Sequence, residues 1–124
     1  MKVPVISIVD DDELFRKAAA SFVRSLGYRT AAFASAEEFL ERGPISETDC
    51  LITDIQMPGM TGFELQTQLI ARGHRLPVIF ISAFPEMRAR GQALAAGAVD
   101  FLDKPFSDEK LITCLQQALD ARHA

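Results

Sequence analysis

The chain has 124 residues, 48% of them hydrophobic and 24% charged, and carries a formal net charge of −4. This length and composition are typical of one globular domain, and the acidic balance argues against direct binding of nucleic acid by this domain. No stretch approaches the roughly 20 apolar residues of a membrane span, and the first residues lack the features of a secretory signal peptide. We therefore expect a single cytoplasmic domain over 1–124, with no membrane contact.

The first strand–helix pair is the clearest in the pattern. Residues 5–9 form a short run rich in β-branched side chains. Phe15, Phe22 and Leu26 then recur at the spacing of one helix face. Gly27 follows at a position typical of a helix end. These features predict a buried strand followed by an amphipathic helix.

The middle of the chain repeats this alternation. Strands are predicted over 28–33 and 50–54, and each is followed by a helical segment. In a capping box, the first residue of a helix and the residue three positions later bond each other's backbone. Two pairs match this pattern: Ser35 with Glu38, and Thr61 with Glu64. The second helix is predicted to end near Gly43, and the third near Arg72.

The last third completes the pattern with two more units. The elements predicted here are a strand over 77–82, a helix over 86–96 that stops at Gly97, a strand over 99–103 and a final helix that begins near Ser107 or Asp108. Five consecutive βα units predict an α/β fold in which helices cover both faces of one parallel sheet. Because no linker or repeat interrupts the units, we expect no output domain in this chain.

The two cysteines, Cys50 and Cys114, are far apart and lack the CxxC spacing of metal and redox sites. Cysteines in a cytoplasmic protein are normally reduced. We therefore expect two free thiols in or near the core.

Polar side chains with reactive chemistry stand at the carboxyl ends of four predicted strands. Asp10 and Asp11 follow the first strand, and Asp54 ends the third. Ser82 ends the fourth strand, and Lys104 follows the fifth. Ligands of open α/β sheets bind at this edge. We therefore expect these five side chains to form one site.

The chemistry of this set is that of phosphoryl transfer. Three neighbouring carboxylates repel one another unless a cation joins them, and hard oxygen ligands suit Mg²⁺. A carboxylate can also act as a nucleophile and become an aspartyl-phosphate. Lys104 would neutralise charge on the phosphoryl oxygens, and Ser82 could donate a hydrogen bond to one of them.

Four motifs, "VDDD", "LITDIQMPGMTG", "VIFISA" and "VDFLDKPF", together resemble the receiver domain of two-component response regulators. The resemblance covers essentially the whole chain. It implies the flavodoxin-like (βα)5 receiver fold, a five-stranded parallel sheet of order 2-1-3-4-5. The phrases "SAEEFL" and "GAVDFLDKPF" are similar to the FixJ-type branch, whose members usually carry a helix-turn-helix transcription domain.

The resemblance assigns a role to each residue of the predicted site. Asp54 is the phosphoacceptor, and Lys104 and Ser82 contact the phosphoryl group. Mg²⁺, for which Mn²⁺ could substitute, is held by Asp10, Asp11, Asp54 and the backbone carbonyl of Gln56. Ser82 and Phe101 form the conformational switch. Structural roles fall to Pro105 in a cis peptide after Lys104, to Gly62 in the loop after the acceptor, and to Ala83, whose small side chain leaves phosphodonors access.

The resemblance also implies the function. The domain would take a phosphoryl group from a sensor histidine kinase and control an output domain, in most relatives a transcriptional one, or a partner protein. It is a signalling domain rather than an enzyme, with only self-catalysed phosphotransfer and autodephosphorylation. Homodimerisation would use the face formed by helix 86–96, strand 99–103 and the last helix. Phe84 and Pro85 depart from the polar, glycine-containing loop of the family.

Three other functions are compatible with parts of the pattern. A magnesium-dependent phosphohydrolase of the haloacid-dehalogenase type usually has an acid two residues after its nucleophile, where this chain has Gln56. A nucleotide or flavin binder needs a glycine-rich loop after the first strand, where this chain has three acids. A phosphorylation-independent interaction module would not need the acids and the lysine.

Several other polar and sulfur-containing residues are expected to have structural roles only. Asp12 and Glu13 would start the first helix, and Asp100 and Asp103 would be surface charges. The methionines Met57, Met60 and Met87 would pack or lie in loops. His74 and His123 lack the spacing of metal or catalytic ligands.

Overall fold

The structure, a computed structural model, describes residues 2–84, Glu86 and 98–122. Within these residues, five parallel strands form one sheet in the order β2-β1-β3-β4-β5. The strands are β1 (Val5–Val9), β2 (Arg29–Phe33), β3 (Cys50–Asp54), β4 (Val78–Ser82) and β5 (Ala98–Asp103). The predicted fold class and strand order are confirmed.

The described helices follow the predicted positions closely. They are α1 (Glu13–Ser25), α2 (Ala36–Arg42), α3 (Gly62–Ala71) and a C-terminal helix (Asp108–Arg122). A short 3₁₀ turn, Ile45–Glu47, precedes β3 and was not predicted. Glu86 is helical, but the rest of the predicted helix 86–96 lies outside the described residues. None of the described helices combines the length and the apolar character that crossing a bilayer requires.

Two clusters of buried side chains lie on opposite faces of the sheet. One cluster joins the strands to α1 and the C-terminal helix, with Val23 and Leu115 among its fully buried members. The other joins the strands to α2 and α3 through Phe39 and Leu65. Because helices cover both faces, β1, β3 and β4 are buried along their whole length. The two free cysteines belong to the first cluster, as predicted.

Side-chain caps set the helix starts where local sequence rules place them. The Asp12 carboxylate accepts the Phe15 N–H, so Asp12 starts α1 as expected. The Thr61 hydroxyl accepts the Glu64 N–H, and the Glu64 carboxylate accepts the Thr61 N–H, which completes the predicted capping box. At α2 the Ser35 hydroxyl accepts the Glu38 N–H at 3.0 Å, which is one of the two bonds of the capping box predicted there.

Gly62 allows α3 to start directly against the end of β3. Its N–H donates to the Ile55 carbonyl at 2.8 Å. A Cβ at this position would collide with the backbone carbonyl oxygen of Asp54. The backbone there has no positive φ, whereas Gly59 in the preceding loop has a φ of 76°. The requirement at Gly62 is therefore close approach rather than an unusual dihedral angle.

We expect Gly62→Ala to lower the free energy of unfolding by about 2–3 kcal/mol, because backbone atoms must shift to relieve the collision. Chemical denaturation with urea measures this loss. Gly27→Ala is the control, since Gly27 has a φ of 97° but open space around its missing Cβ. That control should cost only about 1 kcal/mol, the penalty of a left-handed backbone. An unchanged or increased stability of Gly62→Ala would contradict the steric argument.

Candidate functional site

Three carboxylates meet at the carboxyl edge of the sheet. Single oxygens of Asp10, Asp11 and Asp54 lie within 4.8 Å of one another. Asp10 is fully buried and Asp54 is 8% exposed, whereas Asp11 faces solvent. The backbone around Asp10 is held from α1, because Arg16 Nη1 donates to the Asp10 carbonyl at 2.8 Å. The predicted convergence of these strand ends is therefore present.

Lys104 brings the balancing positive charge. Its Nζ lies 2.8 Å from Asp10 Oδ2 and 3.2 Å from Asp54 Oδ2. Its backbone N–H donates to the Ser82 carbonyl at 2.8 Å, which ties the start of this loop to β4. The following peptide bond, Lys104–Pro105, is cis, as the resemblance implied. Two buried carboxylates thus share one ammonium group.

The surroundings of the site shift the pKa values of its charged groups. Burial and the charge of Asp10 raise the pKa of Asp54 to about 6, although the Lys104 ammonium and the Gln56 N–H act against the rise. Burial disfavours the charged form of Lys104, but its contacts with Asp10 and Asp54 outweigh this and raise its pKa. The acid cluster is therefore short of positive charge.

The raised pKa of Asp54 predicts how stability depends on pH without divalent cations. A raised carboxyl pKa stabilises the fold below the unfolded pKa near 4, and this contribution is lost as pH rises through about 6. In EDTA, Asp54→Asn should therefore be more stable than wild type at pH 8 by about 1–2 kcal/mol, after solvent screening is allowed for. The gain should vanish near pH 4.

Urea denaturation at pH 4, 6 and 8 measures this difference. Asp120→Asn, which changes an exposed acid of the C-terminal helix outside the cluster, is the control for the loss of one negative charge. A stability difference for Asp54→Asn that is the same at all three pH values would contradict the assigned pKa.

Ser82 and Phe101 lie on the neighbouring strands β4 and β5. Ser82 is 2% exposed, and its hydroxyl bonds the backbone of Phe84, accepting from the N–H at 2.9 Å and donating to the carbonyl at 3.2 Å. Phe101 is half-buried and stacks on Phe80, with ring centroids 5.3 Å apart. The Ser82 hydroxyl thus forms its hydrogen bonds with the backbone of the loop after β4.

The backbone of the loop after Asp54 donates hydrogen bonds to two carboxylates, and the sequence did not indicate the second of them, Glu37. Gln56 is exposed, and its N–H donates to Asp54 Oδ1 at 3.3 Å. Further along, the Met60 N–H donates to the carboxylate of Glu37 at 3.2 Å. Glu37 lies in the first turn of α2, 23 residues away, so no local pattern could have singled it out.

Phe15 is a second residue whose position sequence analysis did not reveal. Helical spacing predicted only that it faces the core. In the structure its ring lies under Lys104, whose Nζ is 4.3 Å from the ring centroid. Phe106 packs edge-to-face against Phe15, with the ring centroids 5.6 Å apart and an angle of 83° between the ring planes.

The prediction for Asp100 was wrong. Asp100 is half-buried, and its carboxylate accepts the Phe101 N–H at 2.7 Å and the Cys114 thiol at 3.4 Å. The physical reason is that β5 is an edge strand, so N–H groups on its open side need partners other than a strand. Asp103 is exposed, as expected.

The methionines have the packing and loop positions expected of them where the structure describes them. Met57 is buried and Met60 packs against the core. His74 lies in the loop after α3. Met87 and His123 lie outside the described residues.

Comparison with protein families gives one match over most of the chain. The family model described as "Response regulator receiver domain" matches residues 6–116. The response regulator protein TodT of Pseudomonas putida is 42% identical over 118 residues, which are 95% of this chain and 52% of TodT. The transcriptional regulatory protein FixJ of Azorhizobium caulinodans is 34% identical over 114 residues, 92% of this chain and 54% of that protein. The chain thus spans about half the length of these relatives.

Solved structures give the same similarity. The response regulator StyR superposes with a TM-score of 0.88 at 35% identity, covering 98% of this chain and 62% of StyR. The crystal structure of FixJ-N superposes with a TM-score of 0.83 at 32% identity, covering 97% of this chain and 96% of FixJ-N. The similarity therefore includes the carboxyl edge where the acid cluster lies.

Proposed function

Because the chain belongs to the response regulator receiver family of two-component systems, we propose that Asp54 accepts a phosphoryl group from a sensor histidine kinase. The observation that carries this proposal is the meeting of Asp54 with Asp10, Asp11 and Lys104 at one edge of the sheet. A carboxylate that is 8% exposed remains accessible, yet three charged groups surround it.

The acid cluster fits a divalent cation. Its donors are hard carboxylate oxygens within 4.8 Å of one another, and only one ammonium group among the described residues contacts the buried pair. Asp10, Asp11, Asp54 and the backbone carbonyl of Gln56 would hold Mg²⁺, or Mn²⁺ in its place. When bound, the ion would neutralise negative charge on the oxygens of the transferred group.

Asp54 would act as the nucleophile. One of its carboxylate oxygens attacks phosphorus, an O–P bond forms, and the P–N bond to the donor imidazole breaks as that imidazole leaves and takes up a proton. Lys104 already lies 3.2 Å from Asp54 Oδ2, so its N–H groups can turn to the incoming phosphoryl oxygens. In autodephosphorylation, water attacks phosphorus, the same O–P bond breaks, and inorganic phosphate leaves.

Ser82 and Phe101 would convert phosphorylation into a conformational change. In the described structure the Ser82 hydroxyl bonds the Phe84 backbone. We propose that it turns to a phosphoryl oxygen and that Phe101 moves with it, which changes the face formed by β5 and the C-terminal helix. Pro105 and Gly62 would hold the Lys104 and Asp54 loops in position.

The output would lie outside these 124 residues. FixJ is a transcriptional regulatory protein, and we propose a transcriptional output or a partner protein for this chain as well. Residues 1–124 would then be a cytoplasmic receiver domain without direct contact to nucleic acid. Homodimerisation would use the face that contains β5 and the C-terminal helix.

Intact mass spectrometry after incubation with acetyl phosphate and Mg²⁺ tests the proposal. The expected result is a gain of one phosphoryl group, roughly 80 Da, that decays slowly after the donor is removed. Release of many phosphate ions per protein molecule in the same period would instead indicate a phosphohydrolase. A protein that gains no mass and releases no phosphate would contradict both functions.

A further inference from the structure

We propose that Phe15 is a positioning residue for Lys104, whose ammonium group it holds inside the acid cluster through the face of its ring. This inference rests on the proposed phosphoacceptor function, because it concerns the residue that would bind the phosphoryl group. Lys104 Nζ lies 4.3 Å from the Phe15 ring centroid, a distance at which the negative ring face attracts a cation.

The Phe15 ring is itself held in place. It contacts Phe106 edge-to-face at 5.6 Å, and Phe106 follows the cis Lys104–Pro105 pair. Both rings are partly buried and pack against the core cluster between the sheet, α1 and the C-terminal helix. The ring beneath the ammonium group is therefore supported by Phe106 and by the core.

An aromatic ring suits this position because it attracts the ammonium group without occupying its N–H groups. The lysine side chain is long and flexible, and holding it at the cluster costs conformational entropy. A further carboxylate would hold it too, but would also compete for its N–H groups. The ring attracts the charge from below and leaves the N–H groups to Asp10, Asp54 and an incoming phosphoryl group.

Two measurements on four proteins test this inference: wild type, Phe15→Leu, Phe15→Tyr and Phe22→Leu. Phe22 is the matched control, since it lies on the same helix and packs against the same cluster. The first measurement is the NMR shift of the Lys104 ε-methylene protons, which a ring face under the ammonium group moves upfield of those of the other lysines. The second is the rate of phosphorylation by acetyl phosphate with Mg²⁺.

Phe15→Leu should lose the upfield shift and be phosphorylated roughly three- to tenfold more slowly. Phe15→Tyr keeps the ring face and should retain both the shift and the rate. Phe22→Leu should also retain both. Circular dichroism establishes that each variant is folded, and Phe15→Met, which also removes the ring, takes the place of Phe15→Leu if that variant does not fold.

The inference is overturned if wild type shows no upfield shift, if Phe15→Leu is phosphorylated at the wild-type rate, or if Phe22→Leu slows phosphorylation equally. A shift that is present in wild type and Phe15→Tyr but lost in Phe15→Leu shows that the ring lies against Lys104. If wild type gains no phosphoryl group at all, the proposed function fails, and the NMR order parameter of the Lys104 ε-methylene group then decides: the positioning role requires it to fall in Phe15→Leu but not in Phe15→Tyr or Phe22→Leu. A shift that persists in Phe15→Leu refutes the positioning role.

Discussion

Asp54→Asn is expected to gain no phosphoryl group from acetyl phosphate under conditions that phosphorylate wild type completely. The asparagine side chain has nearly the same shape, but its amide is a poor nucleophile compared with a carboxylate. The loss should therefore be complete rather than partial, and intact mass spectrometry measures it directly. Because the substitution removes a carboxylate that is costly to ionise in the buried cluster, the variant should also remain folded.

Asp103→Asn is the control for this experiment. Asp103 ends β5 at the same edge of the sheet, but it is exposed and no phosphoacceptor role is proposed for it. It should gain one phosphoryl group as wild type does. Phosphorylation of Asp54→Asn would refute the assignment of the acceptor. If Asp103→Asn gained no phosphoryl group, loss of phosphorylation would not be specific to residue 54.

Lys104→Ala should lower the free energy of unfolding by about 2–3 kcal/mol at pH 8 in EDTA, because it leaves Asp10 and Asp54 facing each other without their cation. The loss should be smaller at pH 5. Lys104 acts to lower the pKa of Asp54, so without it Asp54 remains protonated to higher pH, and a neutral carboxyl group no longer repels Asp10. Urea denaturation at the two pH values measures both effects.

Lys17→Ala is the matched control, since it removes another lysine from an ion pair. Lys17 Nζ lies 2.9 Å from Glu13 Oε1, but both side chains are largely exposed. An exposed pair of this kind contributes little, so stability should not change measurably. Equal losses for the two lysines, or a loss at Lys104 that does not depend on pH, would contradict the role given to the buried cluster.

Local rules account for how well the elements were predicted. The Thr61–Glu64 capping box, the Asp12 cap and the buried strand 50–54 all rest on contacts or patterns within a few residues, which sequence spacing records directly. The 3₁₀ turn Ile45–Glu47 was missed because it has no periodic apolar face. The predicted helix 86–96 is outside the described residues, apart from Glu86, and stays a prediction.

The meeting of Asp10, Asp54 and Lys104 could also be predicted from the sequence. Parallel strands all end at one edge of the sheet, so residues that follow different strands must lie near one another even when 50 positions separate them. This rule needs only the order of strands and helices. It does not need the positions of individual side-chain atoms.

The sequence by itself therefore determined the fold class, the strand ends and the residues that gather at them, because these follow from periodicity and from the geometry of parallel sheets. Only the tertiary structure decided the pKa of Asp54, the place of Phe15 under Lys104 and the contact of Glu37 with Met60. It also decided that the Asp100 carboxylate accepts a backbone N–H of the edge strand β5. These features depend on burial and on side-chain positions between separate elements, and a periodic pattern says which face a residue lies on but not which atoms it meets there.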